Sequence, residues 1–170
     1  MSTRCNIHFN HGRSIEANIY RHSDGYPGKV ENGEPVEYGV LADLLEFFRL
    51  LKAEVPDHRM NHAEYLAAKF VVWQSQQLTQ YARIYKPAKG PVDEKGYGPS
   101  HQLQFMGVSP CLRDHGDIEY IYEINCDKFD DEGFPVVRWK EACKGARGTT
   151  VKLGRADKNM ARFLAAHARV

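Results

Sequence analysis

The chain has 170 residues, 42 % of them hydrophobic and 26 % charged, with a formal net charge of +1. Those proportions argue against disorder, and one core can be buried at this length without disulfide or metal staples. No apolar run reaches the roughly 18 residues of a membrane span, and the opening MSTRCNIHF has no signal-peptide core, so the expectation is one soluble, cytoplasmic domain over 1–170.

The first element, Arg4-Cys5-Asn6-Ile7-His8-Phe9-Asn10, alternates strictly, with Cys5, Ile7 and Phe9 on one side. That is a half-buried strand. After His11-Gly12-Arg13 a second alternation places Ile15, Ala17 and Ile19 on the apolar side, so the sequence predicts a hairpin. Pairing Asn10 with Ser14 sets Phe9 opposite Ile15, Ile7 opposite Ala17 and Cys5 opposite Ile19. The polar side then carries Arg4, His8, Glu16 and Tyr20, leading into His22.

The hairpin runs into YRHSDGYP at 20–27, where Asp24 bonding its own backbone, Gly25 and Pro27 make strong turn chemistry. His22 and Asp24 are also close enough for a carboxylate to orient an imidazole. The structural corner is the first reading and an active site the last, because no nucleophile stands at a diagnostic spacing. GKVENGEPVEYG reads as a surface loop, with Pro35 in the first turn of the next helix. Val40, Leu41, Leu44, Leu45, Phe48 and Leu51 give that helix one apolar stripe.

Asn61, with Glu64 three residues on, predicts the cap of a longer helix that runs to about Tyr85, before Pro87. Leu66, Phe70, Trp73, Gln77, Tyr81 and Ile84 lie on one face, widened by Val71, Val72 and Leu78. KPAKGPVDEKGYGPSH has neither period and reads as a loop. Strands are expected at Gln102 to Ser109, at Asp117 to Asn125 with Ile118, Tyr120, Tyr122 and Ile124 inward, from Pro135 to Lys140, and from Thr149 to Leu153. An acidic loop spans Asp127 to Gly133, and a C-terminal helix carries Met160, Phe163 and Leu164. This order lacks βαβ alternation, so the fold class is α+β: an antiparallel sheet of five or six strands with two main helices on one face.

Chemistry-bearing motifs are sparse. Cys5, Cys111, Cys126 and Cys143 form no CxxC pair and read as free thiols. His58 and His62 stand four apart, but with Asn61 as cap they need not share a face, so no metal is expected. GxGxxG, the P-loop, GxSxG and HExxH are all missing from the sequence. No cofactor or catalytic residue is therefore assigned. The ligand-binding candidates are Arg4, His8, Glu16, Tyr20, His22 and Asp24, a patch suited to a phosphate or carboxylate and so to a nucleotide-like ligand, bound or hydrolysed.

Charge is blocked along the chain: residues 113–132 hold eight acids against two bases, and Arg138 to Arg169 nine bases against two acids. The blocks suggest acidic and basic edges that meet within one chain or across a homodimer. The basic end, with Trp139 to stack on a base, also admits nucleic acid as a less favoured partner. Trp73, Tyr81, Trp139, Arg147 and Arg155 are the candidate contacts for a protein partner, since aromatics and arginines dominate interface energies.

STRCNIHF, YRHSDGYP, VLADLLEFF and GDIEYIYEI together resemble a family of small uncharacterised bacteriophage and prophage proteins. The resemblance covers the first half of the chain and one strand. It implies a phage or prophage accessory protein that binds and inhibits a host protein, such as a CRISPR-type or signalling component of antiviral defence, in the bacterial cytoplasm.

Overall fold

The computed structural model describes residues 3–22, 24–28, 30–31, 34–35, 39–54, 60–85, 108–143 and 145–154, with backbone alone for 30–31, 34–35 and 77–85. The class is α+β. A six-stranded sheet has the order β5-β2-β1-β6-β7-β8, built from β1 (Cys5–His11), β2 (Ser14–Arg21), β5 (Val108–Pro110), β6 (Tyr120–Phe129), β7 (Pro135–Glu141) and β8 (Thr149–Val151). Its pairings are antiparallel except one, because β1 and β6 run parallel, so the sheet is mixed.

The predicted hairpin forms with a different register. Ile7 faces Ile19 and Phe9 faces Ala17, and the ladder then slips so that Asn10 faces Ile15 and His11 faces Ser14. The turn is therefore Gly12-Arg13, with Gly12 at φ 62°, and Glu16 is the extra residue of a bulge. A bulge lets the tight turn coexist with inward-facing Ala17 and Ile19, a combination that a uniform register forbids. Its cost falls on Ile15, which shares a face with Asn10 and is 52 % exposed instead of buried.

Two helices are present among the described residues, α1 (Val40–Glu54) and α2 (Ala63–Tyr85). The whole expected α1 stripe is buried, with Phe47 added. Phe9 lies 6.1 Å from Phe70, and Phe70 lies 5.2 Å from Phe47, so β1, α2 and α1 share one aromatic seam. Each such side chain, once buried, stabilises by roughly 1.5–3 kcal/mol. Cys5, Ile7, Ile19, Tyr122, Ile124, Val137 and Val151 complete the core beneath the helices. No helix of the described residues is long and apolar enough to cross a membrane.

Three local expectations are corrected. The amide of Leu66 donates to the carbonyl of His62, so His62 and not Asn61 is the cap residue of α2. Pro35 lies in a small ladder between β3 (Val30–Glu31) and β4 (Glu34–Pro35), and α1 starts five residues later. Val72 is 57 % exposed, so the apolar belt of α2 is narrower than its composition implies. The strand before Val108, His58 and the C-terminal helix fall outside the described residues.

Candidate functional site

The outer face of the hairpin was expected to be wet, yet Asn6, His8 and Asn18 are buried there. Topology supplies the reason. The chain leaves β5 at one edge and must reach β6 beyond β2 and β1, while the helices occupy the inner face; the segment 111–119 therefore crosses the outer one. Polar residues on the strands hold it in place. The Asn6 amide donates to Asn18 Oδ1 at 2.6 Å and to Cys111 Sγ at 3.2 Å, while its Oδ1 accepts the amide of His115 at 3.3 Å. His8 Nε2 and Asn18 Nδ2 both meet Asp114 Oδ1, at 2.6 and 3.0 Å, and Arg4 pairs with Asp117 at 2.6 Å.

These partners decide what the patch can do. Asp117 occupies the Arg4 guanidinium and Asp114 occupies His8, so the crossing segment already supplies the carboxylates that an anionic ligand would bring. Tyr20 stacks on His115 with ring centroids 3.8 Å apart, and its hydroxyl lies 3.0 Å from His22 Nδ1. Burial, together with Asp117, raises the Tyr20 phenol, so it stays protonated. Cys111, bonded to Asn6 and within the field of Asp114, is the thiol of this network. Burial raises its thiol, the Asn6 bond offsets this in part, and Asp114 adds to the rise. A thiol held protonated is a poor nucleophile.

The YRHSDGYP segment is packed into the fold. Gly25 is buried, its amide bonded to the Thr3 carbonyl and its carbonyl accepting the Tyr122 hydroxyl, both at 2.9 Å. A Cβ on Gly25 would lie 2.8 Å from backbone atoms of Arg4 and Cys5. Asp24 takes φ 54°, the left-handed geometry that Asp tolerates in turns. Arg21, which sequence reasoning passed over, forms a largely buried ion pair with Asp43 at the start of α1. Burial lowers the Arg21 guanidinium, but the Asp43 charge and hydrogen bond outweigh it, so the net shift is upward.

The partner-binding candidates scatter. Trp73 packs against Phe47 and Phe70, and Trp139 is half-buried beside Tyr120. Both are partly buried and pack against the core. Arg147 is exposed; the Tyr81 side chain and Arg155 lie outside the described residues. The acidic and basic blocks meet within the chain where Lys140 of β7 pairs with Glu123 of β6 at 2.8 Å. In the acidic loop Asp130 accepts the amides of Glu132, Phe134 and Gly154, so it ties that turn to the segment that follows β8.

Glu16 stands apart from this polar network and opens onto a different feature. A groove of about 920 Å³ follows the side of β2 away from β1, lined by Ile15, Ala17 and Ile19, by Ala67, Ala68 and Val71 of α2, and by Leu112 on its rim. Small side chains on both banks leave the space. The groove lies where β5 stops: Pro110 pairs with Ile19, Cys111 bonds the Asn18 carbonyl, and the chain then turns across the outer face. Sequence reasoning missed this site. Its only sequence signals were the alanines of α2 and a proline closing a short strand.

Comparison with protein-family models, with curated proteins and with solved structures returned no match.

Proposed function

We propose that this chain is a phage or prophage accessory protein that works by stoichiometric binding to a host protein, a CRISPR-type or signalling component of antiviral defence. The observation that carries the binding part is the open groove beside β2, where Ile15 is half exposed and Leu112 fully so. Apolar surface held open along a sheet edge marks an interaction site. The host and defence part rests on the resemblance carried by STRCNIHF, YRHSDGYP, VLADLLEFF and GDIEYIYEI.

The polar hairpin face supports this reading over a ligand-hydrolysing one. Its base, its guanidinium and its thiol are engaged by Asp114, Asp117 and Asn6 of the same chain, and its hydrogen bonds secure the crossing segment. The test is plating efficiency of a restricted phage on defence-equipped bacteria that express the chain, with affinity capture from the same cells. Restored plating with one host protein retained in stoichiometric amount is the expected result. Unchanged plating with no retained host protein overturns the proposal.

A further inference from the structure

We infer that the free edge of β2 takes up an extended segment of its protein partner as an added strand, and that the segment alternates apolar and basic residues. This inference rests on the binding reading above and specifies its chemistry. Ser14 to Ala17 have no partner strand on the side away from β1 among the described residues, because β5 covers the strand only from Ile19 to Arg21. An incoming strand there continues the line of β5 past Pro110, over a stretch of roughly 13 Å at about 3.3 Å per residue.

The lining has the form of a strand edge. Ala17 and Ile19 point to the inner face, while Ile15 and Asn18 point to the outer one, so the groove wraps around the edge from both sides. Backbone bonding along such an edge supplies affinity, and alternate side chains of the added strand read the two faces. On the inner side they meet Ala67, Ala68 and Val71; on the outer side they meet Ile15 and Leu112.

Charge selects the occupant. Glu16 and Glu64 line the groove, both are exposed, and neither forms an ion pair among the described residues. Asp114 is already engaged by His8 and Asn18, and Arg113 is the single base of the lining. Two unpaired acids against one base favour lysine or arginine on the incoming segment. They also disfavour a second copy docked edge to edge through the same residues, since a twofold pairing centred on Glu16 would set that acid against itself.

The probe is a displayed library of random linear peptides selected on the full chain, with enriched peptides then resynthesised and titrated by fluorescence anisotropy. Enriched sequences should alternate apolar and basic residues. Ala68→Trp, which fills the groove from an exposed helix position, should weaken binding about tenfold or more, and Glu64→Lys should weaken it for basic peptides. Lys152→Glu, exposed just past β8 at the opposite edge of the sheet, should leave it unchanged. Methylating alternate backbone nitrogens of the peptide should abolish binding, the signature of main-chain pairing. Circular dichroism establishes that each variant is folded, and Ala68→Glu replaces Ala68→Trp if the latter is not. The inference is overturned if no peptide is enriched, if enriched peptides are acidic or patternless, or if filling the groove or methylating the backbone has no effect. No host material enters this selection, so its failure alongside a retained host protein would remove strand addition and leave the binding reading in place.

Discussion

The two ends of β2 are treated in opposite ways. At its C-terminal end Ile19 to Arg21 are paired on both sides, Arg21 is locked to Asp43, and the following turn is bonded to Thr3 and Tyr122. At its N-terminal end a bulge pushes Ile15 outward and the neighbouring strand has already turned away. The end rich in ionisable residues is thus the anchored one, and the end with an ordinary alternation is open. Reactive residue types are a poor guide to function where the fold itself consumes them, since a buried charge or amide needs its partner just to exist there.

The sharpest way to break this contrast is to cut the anchor. Asp43→Ala leaves the Arg21 guanidinium without its carboxylate in a site where both side chains are less than one-sixth exposed, at 13 % and 15 %. An orphaned buried charge costs about 3–5 kcal/mol, so the thermal midpoint should fall by about 10 °C, read by circular dichroism. A fall within about 2 °C would mean that the pair is solvated and the corner is not an anchor. Gly25→Val comes next: its Cβ would sit 2.8 Å from the backbone of Arg4 and Cys5, where no flexible side-chain end can give way. Strain of this kind costs about 1–3 kcal/mol in chemical denaturation.

Alkaline pH probes the thiols buried near both ends of the hairpin, and more gently. Cys5 faces Arg21 across the ladder, and burial pushes its thiol from 9.0 up to about 12, with Arg21 lowering it and Asp43 raising it. Burial also pushes Cys126 up to about 12 and raises the Tyr122 phenol. The folded chain thus keeps protons that the unfolded chain releases. Stability from these groups is complete below the thiol's ordinary 9.0 and is lost as pH rises toward about 12. Urea midpoints should hold between about pH 7 and 8 and drop by the equivalent of about 2 kcal/mol near pH 10. Cys126→Ala should flatten the drop, whereas an unchanged slope would place the titration elsewhere.

Much of the frame could be read from local pattern. The β1 alternation, the α1 stripe and the span of α2 needed only neighbours along the chain, and Val40, Leu44, Phe48 and Leu51 are buried as their spacing demanded. What escaped was non-local. The parallel junction of β1 with β6 joins segments more than a hundred residues apart, and it forces 111–119 across the outer face, which in turn converts Asn6, His8 and Asn18 from solvated residues into buried pins. The bulge at Glu16 was equally invisible, because a strand's apolar alternation fixes which residues want to face inward but not where one residue is left over. The groove follows from both, since it exists only where Pro110 ends β5 and Ile15 has turned outward.

The smallest expected effect on stability is also the most discriminating. Ile15→Thr keeps a β-branched residue in the strand and removes a half-exposed apolar group, so folding should change by less than about 0.5 kcal/mol. If the open end is the working end, the same substitution should weaken a selected peptide several-fold, because Ile15 is the outer-face contact nearest the bulge. The matching change at the anchored end, His22→Ala, removes an exposed ring that touches Tyr20 and should leave peptide affinity as it is. Opposite outcomes, with affinity tracking His22 and ignoring Ile15, would move the working surface to the corner and make the groove a packing defect: three alanines and a bulge that happen to meet at an edge.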